Sequence, residues 1–423
     1  MLKEYKHLDE KIYEFDHSSG VHVQVIPKPG FYKKFAICAL NFGSVNTKFI
    51  LPGTDTVTKV PEGIAHFLEH KMFEQPDVNV MDQYMALGAS TNAATSFNWT
   101  YYYFNCTENF DDCFRLLMKF VQKPYFTEEN VEKEKGIIAQ EINMYKDEPE
   151  YRVSMNAINL LYHKNPVKND IAGTVESVNS ITAEMLGMCH RTFYSPSNMV
   201  ITVVGDLDPA HIESLINEGF CHAKPTKIPE FVFEDEPDSV AGPQRVEIMD
   251  VALPLFSFAL KDKPVSVPMK QIYRQVAGNI VQKALFGSTS QFHEDMYNRG
   301  LINSEFYADY DCCGLFSMAS IGGESENPEL LKNCVQEYVG KMLKFGLPEE
   351  SCINIRNAGA GSMLKRFNNP ASLGKMFATS YLAGIDPFDY FDAYGKISYD
   401  YIMEVFREIY SGDMVTSIVK GKE

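Results

Sequence analysis

One stretch limits how the chain can be partitioned. Residues 224–244, KPTKIPEFVFEDEPDSVAGPQ, combine several prolines with clustered charge and carry little helical periodicity. Proline removes a backbone donor and fixes φ, so such a stretch does not continue a helix or run through the middle of a sheet. It reads as a linker. The same rhythm runs on both sides of it: extended apolar segments, then amphipathic helices. The expected division is one domain over 1–223, the linker over 224–244, and a second domain over 245–423. At roughly 100–200 residues per domain, 423 residues accommodate two cores of that size. Two α+β halves fit the pattern better than one large sheet.

In the first half, VHVQVIP (21–27) and FAICALNF (35–42) read as strands. Ile64, Phe67, Leu68 and Met72 give the next segment a helical apolar face. Residues 80–87 read as a helix ended by Gly88. The stretch TNAATSFNWTYYYF (91–104), rich in β-branched and aromatic residues, reads as extended. A helix over 111–122 stops before Pro124. Thr127 caps another that runs to about Lys146. MVITVV (199–204) is a buried-strand run. In the second half, strand patterns near 245–260 precede a helix over 268–285, a turn at GSTS (287–290) and a helix over 291–298. Strand patterns follow near 304–322, then long helices to the end.

Composition removes several function classes. A formal net charge of −17 argues against a nucleic-acid binder, which needs a basic face. Nine cysteines without a C-x-x-C pair form neither a disulfide framework nor a cysteine metal site. Reduced thiols suggest a reducing compartment. The N-terminal segment lacks an apolar signal core, and no stretch approaches the roughly 20 apolar residues of a membrane span. A soluble cytoplasmic protein is expected. No phosphate-binding loop or dinucleotide fingerprint is present.

The chemistry concentrates in HFLEH, residues 66–70. Residues four apart share a helix face, so His66 and His70 can aim both imidazoles at one ion. Glu69 lies beside them, placed to take a proton from water. A catalytic zinc site needs three protein ligands and one open position. VEKEKGIIAQEINMYKDEP offers the third from Glu134 or Glu141, seven apart and so on nearly one stripe of a helix. Ile137, Ile138 and Ile142 lie next to that stripe, and a carboxylate at an apolar face needs a partner. Spacing alone does not decide between the two glutamates.

With these residues in hand, the chain resembles the pitrilysin/insulysin family of zinc peptidases, in the bacterial branch similar to mitochondrial processing peptidase. HFLEH is the family's inverted motif. GASTNAATSFNWTYY (88–102), the Glu134/Glu141 helix, DIAGTVESVNSIT (170–182) and FYSPSNMVITVVGDLD (193–208) follow in order. GSTSQFHEDMYNRGL (287–301) is the best matching segment of the second half. The resemblance implies two related α/β-sandwich halves, mixed or antiparallel sheets with helices, in a processing-peptidase-like clamshell. It implies a zinc-binding catalytic domain over 1–223 and a related domain without a metal site over 245–423. One zinc ion per chain would be held by His66, His70 and Glu141, with Glu69 as general base and Glu134 supporting a ligand from behind. Asn92, Ala93, Ala94, Thr95 and Ser96 would lie on an edge strand that binds extended peptide through its backbone.

The second half departs from the family pattern. Members carry an arginine and a tyrosine, seven apart near a Gly-Leu pair, which bind the substrate carbonyl and the oxyanion. In register with Gly300-Leu301, Met296 and Asn303 hold those positions. Arg299 and Tyr307 lie nearby, eight apart. In heterodimeric members a non-zinc homologue supplies the pair. The resemblance therefore implies a heterodimer with such a homologue, a homodimer being the alternative assembly. The function expected is a zinc endopeptidase acting on unfolded peptides or the leader segments of peptide precursors. The competing function is a catalytically weak structural or chaperone-like peptide-binding subunit, against which His66, Glu69, His70 and Glu141 all stand intact.

Overall fold

The computed structural model describes residues 1–5 and 8–422. Two compact units divide the chain, and neither is a continuous stretch. The first is Met1–Ile142, Asn169–Phe233 and Lys365–Asp386; the second is Asn143–Lys168, Glu234–Leu364 and Pro387–Glu423.

In the first unit the strands are β1 (Leu2–Tyr5), β2 (Glu10–Asp16), β3 (His22–Pro27), β4 (Lys34–Leu40), β5 (Lys48–Ile50), β6 (Val57–Lys59), β7 (Ser90–Thr95), β8 (Thr100–Cys106), β9 (Met199–Gly205) and β10 (Glu230–Phe231). Seven form the main sheet, in the order β1-β2-β3-β9-β4-β8-β7, and β10-β5-β6 form a small one. The helices along this part of the chain are α1 (Ile64–Met72), α2 (Val80–Ala86), α3 (Phe110–Gln122), α4 (Glu128–Lys146), α5 (Pro149–Leu161), α6 (Val175–Asn179), α7 (Ala183–Phe193) and α8 (Pro209–Gly219). Of these, α5 belongs to the second unit.

The second unit continues with β11 (Gln244–Ile248), β12 (Leu255–Asp262), α9 (Pro268–Phe286), α10 (Gln291–Asn298), β13 (Tyr307–Cys312), β14 (Ser317–Glu324), α11 (Pro328–Phe345), α12 (Glu349–Arg366), α14 (Asp389–Lys396), α15 (Tyr399–Ile409) and β15 (Met414–Lys420). The helix missing from that series, α13 (Pro370–Leu382), packs on β4 and β9 in the first unit. The second sheet runs β11-β15-β12-β14-β13.

The two sheets share one plan. In the first, β3 and β9 pair parallel, while β9–β4, β4–β8 and β8–β7 pair antiparallel. In the second, β11–β15 is parallel, while β15–β12, β12–β14 and β14–β13 are antiparallel. The elements come in the same chain order, so these are two copies of one α+β motif. The copies exchange one helix each: α5 lies on β12 and β15, and α13 on the corresponding β4 and β9. This gives both sheets two covered faces. Ala36, Cys38 and Leu40 of β4 join the core cluster shared with α1, α3, α4, α7 and α8. On the other face, Gly374 of α13 sits so close to Phe35 and Val204 that a Cβ would collide with the Phe35 ring at 2.4 Å. Burial on two faces explains why FAICAL and MVITVV are near-continuously apolar rather than alternating.

Four local expectations need correction. Residues 91–104 are a hairpin, β7 and β8, reversed at Ser96–Trp99, where the Ser96 amide donates to the Trp99 carbonyl at 2.8 Å. The chain does not finish in helices: MVTSIVK forms β15, a central strand whose two neighbours lie far away in sequence. The expected linker holds β10, which pairs with β5, and the start of β11. Ile137 is 46% exposed, because it projects about 100° away from the Glu134–Ile138–Glu141–Ile142 stripe. No helix among the described residues is long and apolar enough to cross a membrane.

Candidate metal centre

Helix α1 owes its placement to two glycines. Gly63, φ +84°, precedes it, and a Cβ there would meet the Ala172 carbonyl oxygen at 2.2 Å. Gly173, φ +77°, leaves no room either, since a Cβ would meet the Glu62 carbonyl oxygen at 2.6 Å. Two backbones therefore touch at the start of the helix, in conformations that favour glycine. Ser177 Oγ donates to the same Glu62 carbonyl (2.9 Å), and Asn169 Nδ2 to the Glu62 carboxylate (2.7 Å). The DIAGT segment thus fixes where α1 begins. Ile64, Phe67, Leu68 and Met72 are buried on its inner side, each contributing roughly 1.5–3 kcal/mol. That anchorage sets the rotation of the helix and presents His66 and His70 together, with ring centroids 4.5 Å apart.

Helix α4 brings the carboxylates. Asn130 binds back to Thr127, its Oδ1 accepting from the Thr127 amide and its amide donating to Thr127 Oγ1, which fixes the first turn. Ile138 and Ile142 are buried and turn Glu134 and Glu141 toward α1. Glu141 faces both imidazoles: Oε1 lies 3.6 Å from His66 Nε2, and Oε2 lies 3.4 Å from His70 Nε2. These separations are longer than ordinary charge-assisted hydrogen bonds. One donor atom from each of His66, His70 and Glu141 falls within 4.8 Å of the others. Glu134 Oε1 accepts from His70 Nδ1 at 3.0 Å. A carboxylate only accepts here, so Nδ1 carries the proton, and in the neutral imidazole Nε2 keeps a lone pair toward Glu141. Side-chain exposures of 11% for His66, 26% for His70 and 21% for Glu141 leave the group mostly buried but not sealed from solvent.

The electrostatics are those of a cation site. Burial, and then the neighbouring His70, push His66 down to about 3, so it stands neutral with a lone pair to offer. His66 Nδ1 is buried without a hydrogen-bond partner among the described residues. Burial lowers His70 as well, but the hydrogen bond to Glu134 and the charges of Glu69 and Glu141 outweigh it, and the net shift is upward. Glu69 is raised by burial, against the opposing pull of His70 and Thr95. Three carboxylates converge on two imidazoles, and two nitrogens with one carboxylate is a donor set zinc accepts. The residues fit that ion.

Glu69 connects this cluster to the sheet edge. Its Oε2 accepts from Thr95 Oγ1 at 2.9 Å, and Thr95 ends β7, one of the two edge strands of the main sheet. Asn92, Ala93, Ala94 and Thr95 all lie on that strand. Ser96 does not, and its backbone is committed: the amide to Trp99 and the carbonyl to the Ser44 amide (3.0 Å). Arg299 and Tyr307 belong to the second unit. The Arg299 guanidinium reaches Met296 Sδ (3.7 Å) and Cys334 Sγ (3.4 Å). The Tyr307 ring covers Gly322, its partner across the strand pair. Met296 is buried, and Asn303 donates to Glu324 at 2.6 Å.

Sequence reasoning passed over Lys71. Its side chain is 0% exposed, its ammonium touches Glu74, donates to the Asn130 carbonyl at 3.3 Å and lies 4.0 Å from Glu134 Oε2. The signal was present: position 71 is one turn from the core residue Phe67, where a lysine is out of pattern.

Comparison with known proteins adds independent findings. The family described as "Insulinase (Peptidase family M16)" matches residues 56–175, and "Peptidase M16 inactive domain" matches 180–358. The uncharacterized zinc protease YmfH of Bacillus subtilis is 36% identical over 418 residues, covering 98% of this chain and 97% of that protein. A mitochondrial-processing peptidase beta subunit of Arabidopsis thaliana is 28% identical over 205 residues, covering 47% of this chain and 38% of that one. The crystal structure of an M16-like peptidase from Alicyclobacillus acidocaldarius superposes with a TM-score of 0.94 at 33% identity, covering 98% and 99% of the two chains.

Proposed function

The chain belongs to peptidase family M16, the insulinase family, and from that membership we propose that it is a zinc-dependent endopeptidase of extended peptides. The observation that carries the reading is the Glu141 carboxylate facing His66 Nε2 and His70 Nε2 at 3.6 and 3.4 Å, with Glu69 beside them. His66, His70 and Glu141 would hold one zinc ion, which supplies Lewis acidity toward the scissile carbonyl and toward water.

The chain's own groups account for the remaining chemistry. An extended peptide adds to the free edge of β7 through backbone hydrogen bonds, which are nearly blind to sequence. Thr95 joins that edge to Glu69, so a peptide bond held there lies near the base. Glu69 takes a proton from the attacking water as the new C–O bond forms. It returns that proton to the departing amine as the C–N bond breaks. Unfolded peptides and the leader segments of precursors meet the requirement for an extended substrate.

Met296 and Asn303 stand in the register of the family's arginine and tyrosine, so we assign the oxyanion donors to a homologous partner, with a heterodimer as the working assembly. Nine unpaired cysteines agree with a reducing, cytoplasmic setting. The decisive experiment is Glu69→Gln. It should retain zinc at the wild-type stoichiometry and lose about 10²–10⁴-fold in kcat against an unstructured peptide. Undiminished cleavage by this variant would remove Glu69 from its role.

A further inference from the structure

We propose that Lys71 is a positioning residue of the metal centre: its buried ammonium holds the Glu134 carboxylate, and through it the His70 imidazole, with Nε2 turned to Glu141. The proposal rests on His66, His70 and Glu141 being the zinc ligands.

The ammonium is wholly buried, where an unpaired charge is costly. Its neighbours are the Glu74 carboxylate, the Asn130 carbonyl at 3.3 Å and Glu134 Oε2 at 4.0 Å. Glu134 thus stands between two groups of α1, with Oε1 on His70 Nδ1 at 3.0 Å and Oε2 toward Lys71. A carboxylate anchored through one oxygen can still turn about its Cγ–Cδ bond. A positive charge beside the other oxygen favours one plane and keeps the carboxylate accepting from His70. The lysine also spans one turn of α4, from Asn130 to Glu134, and so sets how far α4 slides along α1. That placement decides where Glu141, two turns further on, stands.

Packing does not require this residue. A methionine fills nearly the same volume, so what Lys71→Met removes is the cation beside the Glu74 and Glu134 carboxylates rather than the shape of the side chain. The charge is therefore what calls for a role, and the group it faces supports a ligand imidazole. A group bonded directly to a ligand imidazole, as Glu134 is, typically alters metal affinity about 10–100-fold, and that sets the upper bound for Lys71 behind it.

The test uses the full chain, with zinc affinity measured by chelator competition and the visible spectrum of the cobalt-substituted protein as a second readout. Folding is verified by circular dichroism. Lys71→Met should fold, bind zinc more weakly by no more than the roughly 10–100-fold expected of Glu134→Gln, and shift the cobalt spectrum. Lys71→Arg should recover most of the affinity. In a Glu134→Gln background, Lys71→Met should cost little more, because its route to His70 is already cut. Wild-type affinity and spectrum in Lys71→Met, or losses that simply add in the double variant, would overturn the proposal. Should Lys71→Met not fold, Lys71→Gln enters the same assays with the same two outcomes. His70→Ala runs in parallel: if it keeps zinc, the ligand assignment fails, and if it loses zinc while Lys71→Met does not, the positioning role alone fails.

Discussion

The three glutamates of the centre differ in what their oxygens touch. Both oxygens of Glu141 face imidazole nitrogens, one oxygen of Glu134 accepts from His70 Nδ1, and one oxygen of Glu69 accepts from Thr95. Charge and spacing made Glu134 and Glu141 equivalent, since both lie on one stripe of α4; only the axial position of α1 against α4 separates them. The expected consequence is an order of metal affinities. Glu134→Gln should weaken zinc binding about 10–100-fold, and Glu141→Gln, which removes a proposed ligand, should weaken it further. Chelator competition on the two purified variants measures this, and a weaker Glu134→Gln than Glu141→Gln would reverse the assignment. His66, Glu69 and His70 could be read from the sequence because helical spacing is local. Lys71 was legible as a lysine one turn from Phe67, but its partners Asn130 and Glu134 lie 59 and 63 residues further on, and spacing does not bring them together.

At the level of elements, the start of α1 depends on Gly173. Alanine there would adopt a left-handed φ and press its Cβ to within 2.6 Å of a backbone oxygen. Gly173→Ala should cost about 1–3 kcal/mol of stability, measured by denaturant titration, and should loosen zinc because α1 carries two of the proposed ligands. A second prediction concerns the end of α5. Glu236 accepts from the backbone amides of His163, Lys164 and Asn165, at 2.9, 2.7 and 2.7 Å, and pairs with Lys261. Burial pushes this carboxyl up, but the Lys261 ammonium and the three amides outweigh it and hold it at about 2. Its unperturbed value is 4.5, so the charged form is favoured by folding. The contribution is full above pH 4.5 and is lost as pH falls toward 2. Glu236→Gln should therefore destabilise by about 1–2 kcal/mol at neutral pH, a gap that closes on acidification through that window. A constant gap down to pH 2 would rule the mechanism out. Elements of this kind were legible where a pattern is continuous, as in α4 and α9. Strand β15 was not, because its identity comes from β11 and β12, more than 150 residues earlier.

Across the whole molecule, two copies of one motif have diverged in what fills the ground between the long helix and the edge strand. In the first unit that ground, beside α1 and β7, carries the histidines and Glu69. In the second, α9 packs on β13, and Arg274 binds Asp262 through two nitrogens (2.7–3.0 Å) while Tyr310 and Glu408 complete the cluster. A guanidinium with its own carboxylates closes the second copy, and no metal-ligating set arises there among the described residues. The second copy's candidates for oxyanion stabilisation have local contacts of their own: Arg299 lies against two sulfur atoms, and the Tyr307 ring covers Gly322. Losing one oxyanion donor commonly costs about 10²–10³ in kcat. The purified chain, confirmed as a monomer by light scattering, should therefore bind one zinc ion yet turn over an unstructured peptide slowly. Adding a homologue that carries an arginine and a tyrosine at the positions of Met296 and Asn303 should raise kcat by about that factor without changing zinc content. Rapid turnover by the confirmed monomer would place the oxyanion donors within this chain, with Arg299 and Tyr307 the first residues to replace.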